Sequence, residues 1–314
     1  MKKWFLWLLV ILILTFLSIY VFIPSKIVIS KIVASGAPIS AEFRYVSNQE
    51  KWGKWWLDSA GKPHTKGDPF TYGGTTFRLT QIGYNVAGIE IQQDGLILQS
   101  ELDLISISRD STWAKWDCEL PAGNNPFTRL LRYKMALELS KNMKAVLVNL
   151  NRFVSKPQNV YMVHIVRTSF TDTCMLSTRF TTSSYPSTAE LYHYFDLLKN
   201  NILKQKAVIT GYPMMNVRML KTDSFETQLA IPTNHSLKDE GAIFTRKMVP
   251  GNFLTAVVKG GRYSVEESMR EMENFLKDQN RTEMASPFQQ LITDRMSEPD
   301  TTKWITRIYL PIAE

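Results

Sequence analysis

The pattern of apolar and polar positions divides the chain into three stretches. The first runs from Trp4 to Phe22 without a charged residue, and only Thr15 and Ser18 interrupt it with small polar groups. At about 1.5 Å rise per residue this helix covers most of the ~30 Å hydrocarbon core of a bilayer. Trp4, Trp7 and Tyr20 stand near its two ends, where amphipathic rings favour the interface, and Pro24 stops it. A cleaved signal peptide has a shorter apolar core followed by a small-x-small site. Nothing of that kind follows Phe22 closely, so residues 1–24 are read as an uncleaved membrane anchor.

The second stretch, residues 25–157, alternates in the manner of strands. Ile27–Val33, Thr75–Ile82, Asn85–Gln92, Leu96–Ile107 and Trp113–Leu120 are strand candidates, and Asp94-Gly95 is a hairpin signal. Between the first two, Ser40–Trp56 carries Phe43, Val46, Trp52 and Trp55 at near-helical spacing and reads as one short helix. A long helix closes the stretch, with Asn125 as N-cap and Pro126 at its first position. Its expected apolar stripe is Phe127, Leu131, Met135, Leu139, Met143, Val146, Leu150 and Phe153.

The third stretch, residues 158–314, contains an internal repeat. Strand candidates at Asn159–Arg167 and Cys174–Thr181 precede a helix opened by Ser187 and Glu190; Tyr212–Leu220 and Phe225–Ile231 follow it. The same order returns as Ala242–Met248, Phe253–Lys259, a helix opened by Ser264 and Glu267, Phe288–Thr293 and Trp304–Ile312. Both helix openings have the spacing of a capping box. Two strand-strand-helix-strand-strand units, each with an unpaired apolar face, are expected to pack about a pseudo-twofold axis.

Composition changes this picture little. Of 314 residues, 44% are hydrophobic and 21% charged, which is globular, and the excess of 37 Lys and Arg over 29 Asp and Glu is spread without runs. Such a spread suits a solvated surface or an anionic membrane face better than a nucleic-acid footprint. Lys2 and Lys3 favour a cytoplasmic N-terminus, Lys26 and Lys31 stand past the other end, and the charge rule is near a tie. An anchor so close to the start reads as an export signal, which makes the chain a single-pass cytoplasmic-membrane protein with its soluble part on the exported side. Cys118 and Cys174 form no C-x-x-C pair; one disulfide or two buried thiols are both open.

The layout of residues 25–157, with Val46-x5-Trp52-x2-Trp55-Trp56, resembles the START-like (SRPBCC) superfamily. The resemblance implies a helix-grip fold, in which a curved sheet wraps the long helix around an apolar cavity that binds lipids or other hydrophobic ligands. Residues 158–314, ending in Thr306-Arg-Ile-Tyr-Leu-Pro-Ile312 and carrying Gly260-Gly261-x-Tyr263 and Pro287, resemble the GyrI-like effector-binding domain. That family cradles hydrophobic, often cationic molecules in a cleft at its pseudo-twofold, and many members are the sensing halves of bacterial transcription regulators. It commonly places an acidic residue on the strand after the second helix. Here that strand reads Phe288-Gln289-Gln290-Leu291-Ile292, and an amide can only hydrogen-bond where a buried carboxylate would attract a cation.

No catalytic motif stands out. His64, His164, His193 and His235 are far apart and none is paired at ligand spacing, so neither a metal nor another cofactor is expected. Gly73-Gly74 lacks the lysine of a phosphate loop. Asn234-His-Ser and Asn280-Arg-Thr match glycosylation acceptors, which carry no weight in a chain read as bacterial. The expected class is α+β: anchor, helix-grip domain, duplicated domain. The expected function is non-catalytic binding of small hydrophobic or amphipathic ligands at the membrane, without nucleic acid, because no segment the size of a helix-turn-helix is left over. In the second domain the candidate ligand-binding residues are Tyr212, Met215, Phe244, Tyr263, Gln289 and Tyr309. Two alternatives stand beside this. One is an enzyme, of cyclase or hydrolase type, using Glu90, Glu101 or Asp103 in the first cavity. The other is a scaffold with closed clefts and an exposed apolar patch.

Overall fold

The computed structural model describes residues 2–170, 173–221, 224–248 and 250–313. The chain is mixed α+β and divides into two compact units, Met1–Lys156 and Pro157–Glu314.

In the first unit, helix α1 (Lys2–Phe22) leads into β1 (Lys26–Ser35), α2 (Ile39–Val46), α3 (Gln49–Trp52) and five strands. These are β2 (Phe70–Tyr72), β3 (Thr75–Ile82), β4 (Val86–Gln93), β5 (Leu96–Ser108) and β6 (Ser111–Pro121); α4 (Pro126–Val154) completes the unit. All pairings are antiparallel in the order β1-β6-β5-β4-β3-β2. Asp94 and Gly95 both have positive φ, 48° and 77°, the geometry of a two-residue primed turn whose twist matches its flanking strands. Alternation sorts the faces: Leu98, Ser100, Leu102 and Leu104 of β5 and Ala114, Trp116, Cys118 and Leu120 of β6 point inward. Leu139, Met143, Val146, Leu147, Leu150 and Val154 form the buried stripe of α4.

Two expectations for this unit need correction. Residues 40–56 form two short helices, because Asn48 is extended and caps the second, its side chain accepting from the Glu50 amide at 2.9 Å. The first turns of α4 do not face the sheet: Phe127 and Leu131 are exposed by 66% and 67%. Phe127 instead meets Phe16 of α1 edge-on at 5.6 Å. Arg129 fixes the same end. Its guanidinium lies 4.5 Å from the Tyr20 ring and donates to the carbonyls of Ile23 and Gly123, each at 2.9 Å. The rest of α1 leaves Trp4, Phe5, Trp7 and Phe22 exposed. Among the described residues no helix is long and apolar enough to cross a membrane.

The second unit opens with a short helix, α5 (Pro157–Tyr161), where a strand from Asn159 was expected. The strand begins later, as β7 (Val166–Phe170), and β8 (Thr173–Thr182), α6 (Thr188–Lys204), β9 (Met214–Lys221) and β10 (Ser224–Thr233) follow. The second half repeats the order as β11 (Ile243–Met248), β12 (Gly251–Lys259), α7 (Arg262–Asp278), β13 (Phe288–Leu291) and β14 (Ile305–Ile312). One antiparallel sheet holds all eight strands, β11-β8-β10-β9-β13-β14-β12-β7. This order is its own mirror about the β9–β13 junction once equivalent strands are matched, which is the expected pseudo-twofold. The first strand of each half pairs with the other half: β7 with β12, and β11 with β8.

The capping box at α6 is present, with the Ser187 hydroxyl accepting from the Glu190 amide and the Glu190 carboxylate accepting from the Ser187 amide. At α7 it is absent. Gly260, at φ +131°, turns the chain so sharply out of β12 that the helix starts at Arg262 with Gly261 as N-cap. Ser264 therefore sits inside the first turn. A Cβ on Gly260 would come within 2.5 Å of its hydroxyl.

Candidate functional site

Among the described residues, tryptophans crowd the interior of the first unit. Trp52, Trp55, Trp56 and Trp116 are at most 6% exposed, and Trp52 and Trp56 stack at 5.4 Å. Their indole N–H groups donate to Val46 O, Tyr45 O, Thr71 O and the Ser100 hydroxyl, so each ring is held by its polar edge as well as its faces. What remains between these rings, Ile89 and α4 is about 10 Å³, room for at most one water. Its lining is wholly apolar. Glu90, Glu101 and Asp103 lie on the opposite face of the sheet from Ile89, Ile91 and Leu102, and Glu90 pairs with Arg78 at 3.0 Å. The polar pair that an enzyme in this cavity requires does not converge there. A hollow of about 720 Å³ lies beside α3, bordered by Glu50, Lys66 and Asp68, with His64 stacked on Phe70 at 4.0 Å.

One buried polar group in this unit stands apart from the tryptophans. Glu42 of α2 is 1% exposed and accepts from the Ser35 hydroxyl, which also lies 3.4 Å from Thr112 O. Burial pushes its carboxyl up to about 7, against a smaller opposing effect of the Ser35 bond.

The second unit is different. Its helices cover one face of the sheet. Under α6, Leu191, Phe195, Leu198 and Ile202 pack on Leu176 and Leu229. The other face carries a cleft of about 340 Å³ over the β11-β8-β10-β9 half, within the usual range for small-molecule sites. Register puts its residues together. Met214 is opposite Ala230, Asn216 opposite Gln228, and Gln228 in turn opposite Arg179. Met175, Met214 and Ala230 form an apolar floor joined by Met248 and Phe288. Asn216 donates to Pro287 O at 2.5 Å and so holds the segment that brings Ser286 and Phe288 to the rim.

Charged groups border this floor. Glu226 accepts from Arg218 at 2.9 Å and lies 3.3 Å from Arg179. Arg246 passes over the Phe244 ring at 5.0 Å and reaches Gln228 Oε1 at 3.5 Å. Beside the cleft, Phe288 stacks on Tyr309 at 4.9 Å, and the Tyr309 hydroxyl donates to Gln290 Oε1 at 3.3 Å.

The structure brings some of the expected site residues to this face and not others. Tyr309 and Phe244 are on it. Met215 borders the cleft but is 1% exposed and belongs to the core under α6; its neighbour Met214 supplies the floor. Gln289 pairs with Met215 and Ile308 on the helix side, so Gln290 is the amide on the cleft side. Tyr212 lies in the turn before β9 and is 49% exposed; Tyr263 is on the first turn of α7 and 70% exposed. The arginines of the cleft were not anticipated, because a polar residue at every second strand position reads as a solvent-facing edge. Cys118 and Cys174 are both free thiols, and burial pushes the Cys118 thiol up to about 11. No group of three His, Cys, Asp or Glu among the described residues is placed to hold a metal ion.

No family profile and no curated protein matches the chain. Similar solved structures include the EcmrR C-terminal domain, at 16% identity and TM-score 0.43, covering 49% of this chain and 99% of that one. EcmrR in its complex with DNA is similar at 16% identity and TM-score 0.45, over 61% and 73% of the two chains. A START superfamily protein from Mycobacterium smegmatis is similar at 17% identity and TM-score 0.25, over 39% and 98%.

Proposed function

We propose that this chain is a membrane-anchored, non-catalytic binding protein that takes a small hydrophobic or amphipathic molecule in the cleft of its second unit. The observation that carries the reading is the open, methionine-floored cleft of about 340 Å³, set against a first interior already occupied by its own tryptophans. Methionine floors adapt to varied apolar shapes, which suits a site that recognises by contact more than by polar anchors. Anchoring is supported by the uncharged run Trp4–Phe22 and by the exposed apolar side chains of α1. Nucleic acid has no part in this reading, nor does a cofactor.

Native mass spectrometry of the detergent-extracted chain tests the binding. A small molecule retained by the wild type and lost from Met214→Trp is expected; a molecule retained equally by both would place binding elsewhere. Fractionation tests the anchor, which is expected to hold the chain in membranes through alkaline washing until residues 1–24 are removed. An active C-terminal alkaline phosphatase fusion is expected if the second unit lies on the exported side.

A second reading, a scaffold that binds a protein, is favoured by one observation. Ile105 and Trp113, cross-strand partners on the outer face of the first sheet, are exposed by 44% and 47%.

A further inference from the structure

We infer that the ligand of the second cleft is an amphipathic anion: a carboxylate, phosphate or sulfonate head on a compact apolar body. The inference rests on the reading of this cleft as a small-molecule site and names the chemistry that site selects. Among the described residues that line the cleft, three guanidiniums, those of Arg179, Arg218 and Arg246, stand against one carboxylate, that of Glu226. Geometry gathers them at one place. Arg246 stands opposite Met175 in the register but leans across Phe244 to Gln228, whose partner on β8 is Arg179. One residue pair further along β10, Glu226 lies between Arg179 and Arg218.

Among these described residues Glu226 neutralises one guanidinium and leaves two in excess. Arg246 has no carboxylate partner among the described residues. Guanidiniums beside an apolar, partly enclosed floor hold an anion more strongly than they would in bulk water, and their planar forks match carboxylate or phosphate oxygens. The same field repels a cation. On the cleft side of β13 the polar side chain is Gln290, already engaged by Tyr309, so that strand offers no compensating negative charge. The volume bounds the body of the ligand: about 340 Å³ lies near the lower end of small-molecule sites and suits one ring or one short chain, not a two-chain lipid.

The test uses three probes that share a tail and differ in head: 4-phenylbutyrate, 4-phenylbutanol and 4-phenylbutylammonium. They are titrated into the full chain in phosphatidylcholine nanodiscs while methyl-labelled methionine signals are followed. Met175, Met214 and Met248 are expected to shift, with phenylbutyrate binding roughly tenfold more tightly than the alcohol and the ammonium binding weakest. Arg246→Gln should weaken phenylbutyrate about fivefold relative to the alcohol, and Glu226→Gln should tighten it. Raising salt should reduce the preference. Equal affinity for butyrate and alcohol, or a preference for the ammonium, would overturn the inference and leave the cleft as a binding site. If no probe moves those three methyls, the binding reading fails together with it. Shifts produced by replacing phosphatidylcholine with phosphatidylglycerol, without any probe, would assign the anion to a lipid and overturn the choice of a free solute.

Discussion

The two units keep their spaces in different places. Each lays helices on one face of an antiparallel sheet, but the space of the first lies between helix and sheet and that of the second on the face away from the helices. In the first, four tryptophans and Phe77 occupy the space under α4 and reduce it to about 10 Å³. In the second, the face away from the helices keeps methionines and small residues such as Ala230 at its centre, and about 340 Å³ stays open. Side-chain volume at a handful of inward positions closes the space under α4, whereas the second space stays open on a face that the helices leave uncovered.

The sharpest way to break this contrast is to empty the first interior. Trp52→Ala should cost about 3–5 kcal/mol, because it removes a large ring and leaves a cavity the neighbours cannot fill. Denaturation followed by tryptophan fluorescence reports mainly on the first unit, since Trp304 is the one tryptophan of the second. Added indole should recover part of the loss, making the closed unit a receptor. A variant that is as stable as wild type would show that the tryptophans are not what fills the unit.

Glu42 sharpens the comparison from the electrostatic side. Its folded-state value, near 7, lies above that of an unfolded carboxylate, so the folded chain holds the extra proton. Its contribution is fully present below about pH 4.5 and is lost as pH rises through 7. Glu42→Gln should remove that slope and stabilise the first unit at pH 8 by up to about 3 kcal/mol. Parallel stability curves for the two proteins between pH 4 and 8 would refute the assignment.

The opposite substitution, filling the second cleft, should have a smaller energetic effect and a clear functional one. Met214→Trp is expected to lower ligand affinity at least about tenfold while changing stability by less than about 1.5 kcal/mol, because the added ring enters open space. Calorimetric titration and chemical denaturation together check both halves of this statement.

The smallest effect separates the two repeats. Ser187→Ala should destabilise by about 1 kcal/mol through loss of a cap, whereas Ser264→Ala should fall within about 0.5 kcal/mol. Equal losses would mean that α7 is capped as the sequence pattern suggests.

These particulars also show what the sequence could disclose. Thr75–Ile82 is recovered to the residue, and the start of α4 is legible because Asn125 and Pro126 are strong local signals. The three-residue strand β2 is too short to show a period, although Gly73-Gly74, both at positive φ, closes it onto β3 as a local hairpin. The break at Asn48 and the early start of α7 turn on single backbone conformations that an apolar period does not register. In the site, alternation along β8–β10 separates two faces but does not say which one meets a helix. That is why Met215 and Gln289 were preferred to Met214 and Gln290. The arginines were legible only as polar positions; their convergence needed the register of four strands.

The exchange of first strands between the halves of the second unit has a consequence for how the unit comes into being. Because β7 completes the sheet of the later half and β11 that of the earlier one, neither half finishes its own edge. As the chain emerges from the ribosome, β7 must wait for β12, some eighty residues on, before it has a neighbour. Severed between residues 234 and 242, the two pieces would be complementary fragments, each carrying a strand that belongs to the other.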